Sequence, residues 1–310
     1  MKGFLSATAL ALAFAGAAQA QTVGVTVARF DSTFLTLVRD GIEAKAKELG
    51  DGVKLQIEDA VNDPTRQLDQ VQNFIASGVD AIIVVAVDGE GTPMMTKAAT
   101  DAGIPIVYIN HPPADAATLP ATAAFIGSDE KQSGTMQTEE VCRLLGGKGQ
   151  AFVLMGPLNN SSASVRTQDI KDVLAKPECA GISIIDTQVA NWDRLEAVDI
   201  MTNWLSSGQK FDAVIANNDE MAIGAIQAMQ GVGTDFSTII VAGIDATPDG
   251  LAAMDRGELD VTVFQDAHGQ GAAGLATAVD LAKGKPLEQN IWIPFQLVTP
   301  ENMEEYQTTN

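Results

Sequence analysis

Residues 211–225 read FDAVIANNDEMAIGA, and this stretch decides the fold. Phe211, Ala213, Val214, Ile215 and Ala216 form a short apolar run of the kind that makes a buried strand. The polar cluster Asn217-Asn218-Asp219-Glu220 interrupts it, and Met221, Ala222, Gly224 and Ala225 continue as a helix. A strand that stops on polar side chains and turns at once into a helix sets those side chains at the carboxyl edge of a parallel sheet. Open α/β sheets bind small polar ligands at that edge. Asn217 to Asp219 can also cap the helix, so a structural use and a ligand-facing use compete for the same side chains.

The same unit recurs in both directions. Strands are predicted at 23–28, 53–57, 81–87, 104–109 and 125–127, alternating with helices at 34–49, 65–77, 92–102 and 128–145. The series then restarts, with strands at 151–155, 182–187, 211–216 and 238–243 and helices at 165–174, 195–206, 221–230, 248–256 and 270–282. Leu68, Val71, Phe74 and Ile75 illustrate the helical spacing. Strict alternation implies parallel sheets wrapped by helices, and the restart implies two lobes. Residues 79–89 (VDAIIVVAVDG) echo 211–220 (FDAVIANNDE). Gly127 and Gln265-Asp266 are the expected crossings between lobes, which returns the last helix to the first lobe.

Composition bounds the function. Residues 1–20 have one basic residue before an apolar run and end in Ala18-Gln19-Ala20, the pattern of a signal peptide cleaved after Ala20. The chain is therefore expected to be exported. A formal net charge of −21 repels nucleic acid and anionic membranes. Cys142 and Cys179 are the two cysteines. Paired, they close a loop whose restraint stabilises by roughly 3–4 kcal/mol; the alternative is two separate buried thiols.

Catalytic templates are missing. The turn at 28–33 (ARFDST) lacks the glycine fingerprint for dinucleotides, and no phosphate-cradling loop or nucleophile elbow occurs. His111 and His268 have no metal-ligand spacing. No cofactor, metal or catalytic residue is expected. Polar residues instead end strand after strand, among them Ser32, Asn110, Ser162 with Arg166, Asn218, Asp245 and Gln265, with Phe34 and Trp192 close by. Carboxylates, amides and an Arg fork match a ligand rich in hydroxyls, and aromatic faces cover its ring.

At this point the residues resemble the sugar-binding periplasmic proteins of ABC transporters, the ribose and glucose/galactose type. The resemblance runs over the mature chain and is strongest in 190–225, with further blocks at 107–112, 125–134 and 241–250. It implies an α/β fold of two Rossmann-like lobes with parallel sheets, joined by three hinge crossovers. The implied lobes are 21–128 plus 267–293 and 129–266 plus 294–310. By position, Phe34 and Trp192 match the aromatic pair that sandwiches the sugar ring. Asn110, Arg166, Asn218, Asp245 and Gln265 match polar ligand contacts. Ser32 stands where glucose/galactose binders place an Asp, and Asn160 and Ser162 stand for their His and Asp. Their calcium loop is replaced by the short turn 145–149 (LGGKG), and Asn110-His111 replaces the Asp-Arg of ribose binders. Residues 30–41 (FDSTFLTLVRDG) resemble inositol-binding members most.

The resulting expectation is a monomeric binding protein that closes on a sugar or cyclitol, myo-inositol first and a pentose or hexose second. It would present that ligand to a membrane ABC permease, with a chemoreceptor as a further candidate partner. Replacing Arg166 or Asp245 by Ala is expected to cost at least about 2 kcal/mol of binding with folding intact. A sugar-responsive transcription regulator shares the architecture but needs a basic DNA-binding segment. An exported sugar-modifying enzyme using Asp219 or Asp245 is the third class.

Overall fold

The computed structural model describes residues 20–310, so the expected signal peptide lies outside the described residues except for Ala20. The first half of the chain runs β1 (Gln21–Val27), α1 (Thr33–Leu49), β2 (Val53–Asp59), α2 (Pro64–Ser77), β3 (Ala81–Val85), α3 (Thr92–Asp101), β4 (Ile106–Ile109) and β5 (Ala123–Gly127). It continues with α4 (Glu130–Leu144), β6 (Lys148–Met155), α5 (Ser161–Leu174), β7 (Gly181–Val189), α6 (Arg194–Ser206), β8 (Ala213–Ala216) and α7 (Asp219–Gly231). The remainder is β9 (Ile240–Ala242), α8 (Pro248–Asp255), β10 (Thr262–Phe264), α9 (Ala267–Ala282), β11 (Asn290–Trp292) and β12 (Gln296–Val298).

Two parallel sheets result. The first has the order β11-β5-β4-β3-β1-β2 and the second β7-β6-β8-β9. Parallel bridges at Ala242–Val261 and Asp245–Phe264 attach β10 to β9, and β12 pairs antiparallel with β10. Both sheets reverse their strand order beside their first strand, the topological switch at which such sheets open a crevice. Strand residues alternate between two helix layers. In the first sheet Val25, Ile83 and Val107 pack toward α1 and α9, while Ile82, Val84 and Tyr108 pack toward α2 and α3. In the second, Val153 and Ile215 face α4 and α5, and Leu154 and Val214 face α6 to α8. The strands are buried on both faces, so their sequences read as near-continuous apolar runs.

The chain passes between the sheets three times, after β5, after β10 and between β11 and β12. The second passage returns α9 to the first lobe, where it packs on α1 so closely that a Cβ at Gly271 would sit 2.2 Å from the carbonyl oxygen of Val38. The three-residue strands β10, β11 and β12 were not anticipated, because three residues carry no readable period. Trp204 is buried and stacks on Phe152 at 4.2 Å. Trp292 meets the edge of Phe125 but stays 57% exposed on the outermost strand. Cys142 and Cys179 form a disulfide that ties the end of α4 to the segment after α5.

Candidate functional site

Strand ends of both lobes converge on one cavity of about 370 Å³. Asn62, Val87 and Asn110 follow β2, β3 and β4; Pro157, Asn191, Asn218, Asp245 and Gln265 follow β6 to β10. All nine residues singled out from the sequence line it: Ser32, Phe34, Asn110, Ser162, Arg166, Trp192, Asn218, Asp245 and Gln265. Sequence reasoning passed over Asn62, Glu130 and Glu196, which line it too.

The backbone at these strand ends is unusual. Seven non-glycine residues of the described chain have positive φ, and five of them line the cavity: Asn62 (56°), Asn110 (66°), Asn191 (50°), Trp192 (61°) and Asp245 (123°). Such conformations cost free energy and persist where surrounding contacts enforce them, typically at ligand sites. Trp192 is held in this way with its ring against Gly156, where a Cβ would lie 2.4 Å from the indole. Phe34 serves two ends, being part of the core under α1 while one side faces the cavity.

Arg166, on α5 and 4% exposed, is the electrostatic centre. Its Nε and Nη2 donate to the Glu130 carboxylate at 2.7 and 3.3 Å, Nη1 to the Asn217 carbonyl at 2.8 Å, and Nη2 to Gln265 Oε1 at 3.3 Å. Asp245 Oδ1 lies 3.9 Å from Nη1. Burial alone would lower the Arg166 pKa, but Glu130 and Asp245 raise it, so the guanidinium stays charged. Glu130 opens α4 immediately after the first crossing, so this pair ties α4 to α5 beside that crossing. Burial raises the Asp245 carboxyl well above its ordinary range, Arg166 works against that, and Asp219 adds to it.

Several polar atoms are left for a ligand. Ser162 Oγ and Gln265 Nε2 are buried with no protein partner, a costly condition unless something else completes them. Asn218 caps α7 by accepting from Met221 N at 3.0 Å through Oδ1, which leaves its Nδ2 for the cavity it lines. Asn110 Nδ2 donates to Gln270 Oε1 at 3.1 Å, and Gln270 Nε2 donates to Ser128 Oγ at 3.2 Å, so the Asn110 oxygen remains. Ser32 caps α1, accepting from Leu35 N at 3.4 Å.

Asp219 is outside the cavity lining and supports it. Its carboxylate accepts from Thr247 N at 2.8 Å, Thr247 Oγ1 at 3.1 Å and Thr262 Oγ1 at 2.7 Å. These bonds pin the turn that aims Asp245. Burial pushes the Asp219 carboxyl up to about 7, with the three hydrogen bonds opposing. Thr247 caps α8, its side chain accepting from Gly250 N. At the same turn Asn310 Nδ2 donates to the carbonyls of Asp245 and Gln265 at 3.1 and 2.9 Å.

No cluster of metal-ligating side chains occurs among the described residues, and none of their helices is long and apolar enough to cross a membrane. The arrangement suits multivalent hydrogen bonding between two aromatic faces.

Residues 23–286 match a family model described as a periplasmic binding protein domain. The chain is 55% identical over 310 residues to a Rhizobium meliloti protein named as rhizopine-binding, covering 100% of each. A solved ABC transporter solute-binding protein from Bacillus halodurans C-125 with bound myo-inositol is 42% identical, with TM-score 0.88 over 95% of this chain and 100% of that one. The Caulobacter myo-inositol binding protein, solved with myo-inositol, is 26% identical, with TM-score 0.85 over 95% and 98%.

Proposed function

The chain belongs to the periplasmic binding protein domain family, and on that premise we propose that it is the periplasmic solute-binding component of an ABC importer. Its ligand is a monosaccharide-sized polyol, with a cyclic polyol such as myo-inositol favoured. The carrying observation is the convergence of all nine residues singled out from the sequence, with the partnerless Ser162 Oγ and Gln265 Nε2, on one cavity between two lobes. The inositol-bound structure at 42% identity supports the cyclitol over other polyols. Its relatives are solute-binding proteins rather than enzymes, and Asp219, one of the two carboxylates considered as a general acid or base, is occupied in holding Asp245.

In this reading the lobes are 21–128 plus 267–293 and 129–266 plus 294–310. Phe34 and Asn110 meet the ligand from the first. Ser162, Arg166, Trp192, Asn218 and Asp245 meet it from the second, with Ser32 at the rim and Gln265 in a crossing segment. A ligand touching both walls only when they are together stabilises the closed state by its differential affinity. The permease then receives the closed form.

Isothermal titration with myo-inositol, D-ribose, D-galactose and xylitol tests the reading. Saturable binding is expected for myo-inositol. A pentose or hexose that binds while myo-inositol does not would overturn the cyclitol assignment, and no binding by any of them would overturn the polyol class.

A further inference from the structure

One direct contact joins the walls of the cavity. His111, just past β4 in the first lobe, and Asn160, just before α5 in the second, lie 3.3 Å apart through Nε2 and Nδ2. The protons in this contact are determined by its surroundings. His111 Nδ1 is 2.6 Å from the Ala86 carbonyl oxygen; a carbonyl only accepts, so Nδ1 carries the proton. Asn160 Oδ1 accepts from Ser162 N at 2.9 Å and Ala163 N at 3.3 Å as the cap of α5. Its amide orientation is thereby committed, and Nδ2 is the group that faces the imidazole. Nε2 must then be the acceptor, which requires a neutral ring.

We propose that His111 is a positioning residue of the binding cycle: its neutral Nε2 accepts from Asn160 across the cleft, sets the closed geometry before ligand arrives, and releases it when the ring is protonated. Protonation at Nε2 places a donor against a donor, and Asn160 cannot rotate its oxygen into place without uncapping α5. Two charged groups face the ring, Glu130 at the start of α4 and Arg166 on α5. Burial lowers the imidazole pKa, Glu130 opposes that, and Arg166 reinforces it. The linkage sign follows. A ring whose pKa is lower closed than open favours closure above the open-state value of about 6.5, and that preference is lost as pH falls, by up to about tenfold per pH unit.

The proposal rests on the reading that the lobes open and close, and the test separates the two. Spin labels at Met94→Cys on α3 and Leu195→Cys on α6, both exposed, report the distance between lobes, and the native cysteines are already paired. In the ligand-free protein a short-distance population is expected at pH 7.5 and should shrink at least severalfold at pH 5. His111→Gln, which keeps an acceptor that does not titrate, should retain that population at both values. His111→Ala should lack it at both. Saturating myo-inositol at pH 7.5 is the control arm. If myo-inositol shortens the distance while pH and both variants leave the ligand-free distribution unchanged, the His111 assignment is overturned and the closure reading stands. If nothing moves the distance, both are overturned.

Discussion

Arg166→Met is the perturbation whose cost the structure lets one work out. The sequence alone suggests a residue that meets ligand and can be lost without harm to folding. The structure adds a stability cost to that expectation, because the guanidinium also neutralises Glu130, whose side chain is only 10% exposed. Methionine fills similar space but strands that carboxylate, and it removes the donors to the Asn217 carbonyl and to Gln265. Breaking a buried ion pair from one side costs about 3–5 kcal/mol. At about 2 °C per kcal/mol for a chain of this size, the ligand-free variant should melt roughly 6–10 °C below the wild type. The companion Glu130→Gln/Arg166→Met removes the stranded charge and should recover at least about 1 kcal/mol relative to the sum of the single losses. Differential scanning calorimetry of the four proteins completes the cycle. A single variant within about 2 °C of wild type, or a double variant that loses the full sum, would refute the account of Arg166 as the centre of a buried ion pair.

Three further outcomes are expected. Gly156→Ala forces the Trp192 indole from its seat and should weaken myo-inositol binding at least about tenfold with far-UV circular dichroism unchanged; an unaltered affinity would remove Trp192 from the site. Asp219, at about 7 against an ordinary 3.8, contributes stability that is complete below pH about 4 and lost as pH rises through about 7. The wild type should therefore melt lower at pH 8 than at pH 6.5, by at most about 1.4 kcal/mol per pH unit. Asp219→Asn should flatten that difference, and an identical slope in the variant would count against Asp219 as its source. Cys142→Ser/Cys179→Ser opens a loop with sequence separation 37 and should cost about 3–4 kcal/mol by the chain-entropy account. Non-reducing peptide mapping that finds two free thiols in the native protein would contradict the pairing.

The parts of the site that were legible in the sequence share one cause. A parallel strand fixes which of its ends carries the next loop, so a polar residue after an apolar run is placed at one edge without tertiary knowledge. Ser32, Asn110, Asn218 and Asp245 were found that way, and Phe34, Ser162, Arg166, Trp192 and Gln265 fell near such ends or matched the family pattern. Glu130 was not found because an acid in the first turn of a helix has an ordinary reason to be there; its pairing with Arg166 joins residues 36 apart on two different helices. The left-handed backbone at Trp192 and Asp245 has no mark in composition, whereas Asn at 62, 110 and 191 was a weak hint, since Asn tolerates that region. The hydrogen bond between His111 and Asn160 needed the two lobes brought together.

The return of α9 to the first lobe has a consequence for the order in which the molecule is made. The first sheet waits for β11, and the α1 surface that receives Gly271 waits for α9, so the first lobe stays unfinished while β6 to β10 of the second lobe are synthesised. The second lobe in turn lacks the partner of β10 until β12 emerges. Both sheets therefore gain their last strand pairings only from residues 290–298. Both lobes are thus completed together, by the final crossings of the chain, rather than one after the other.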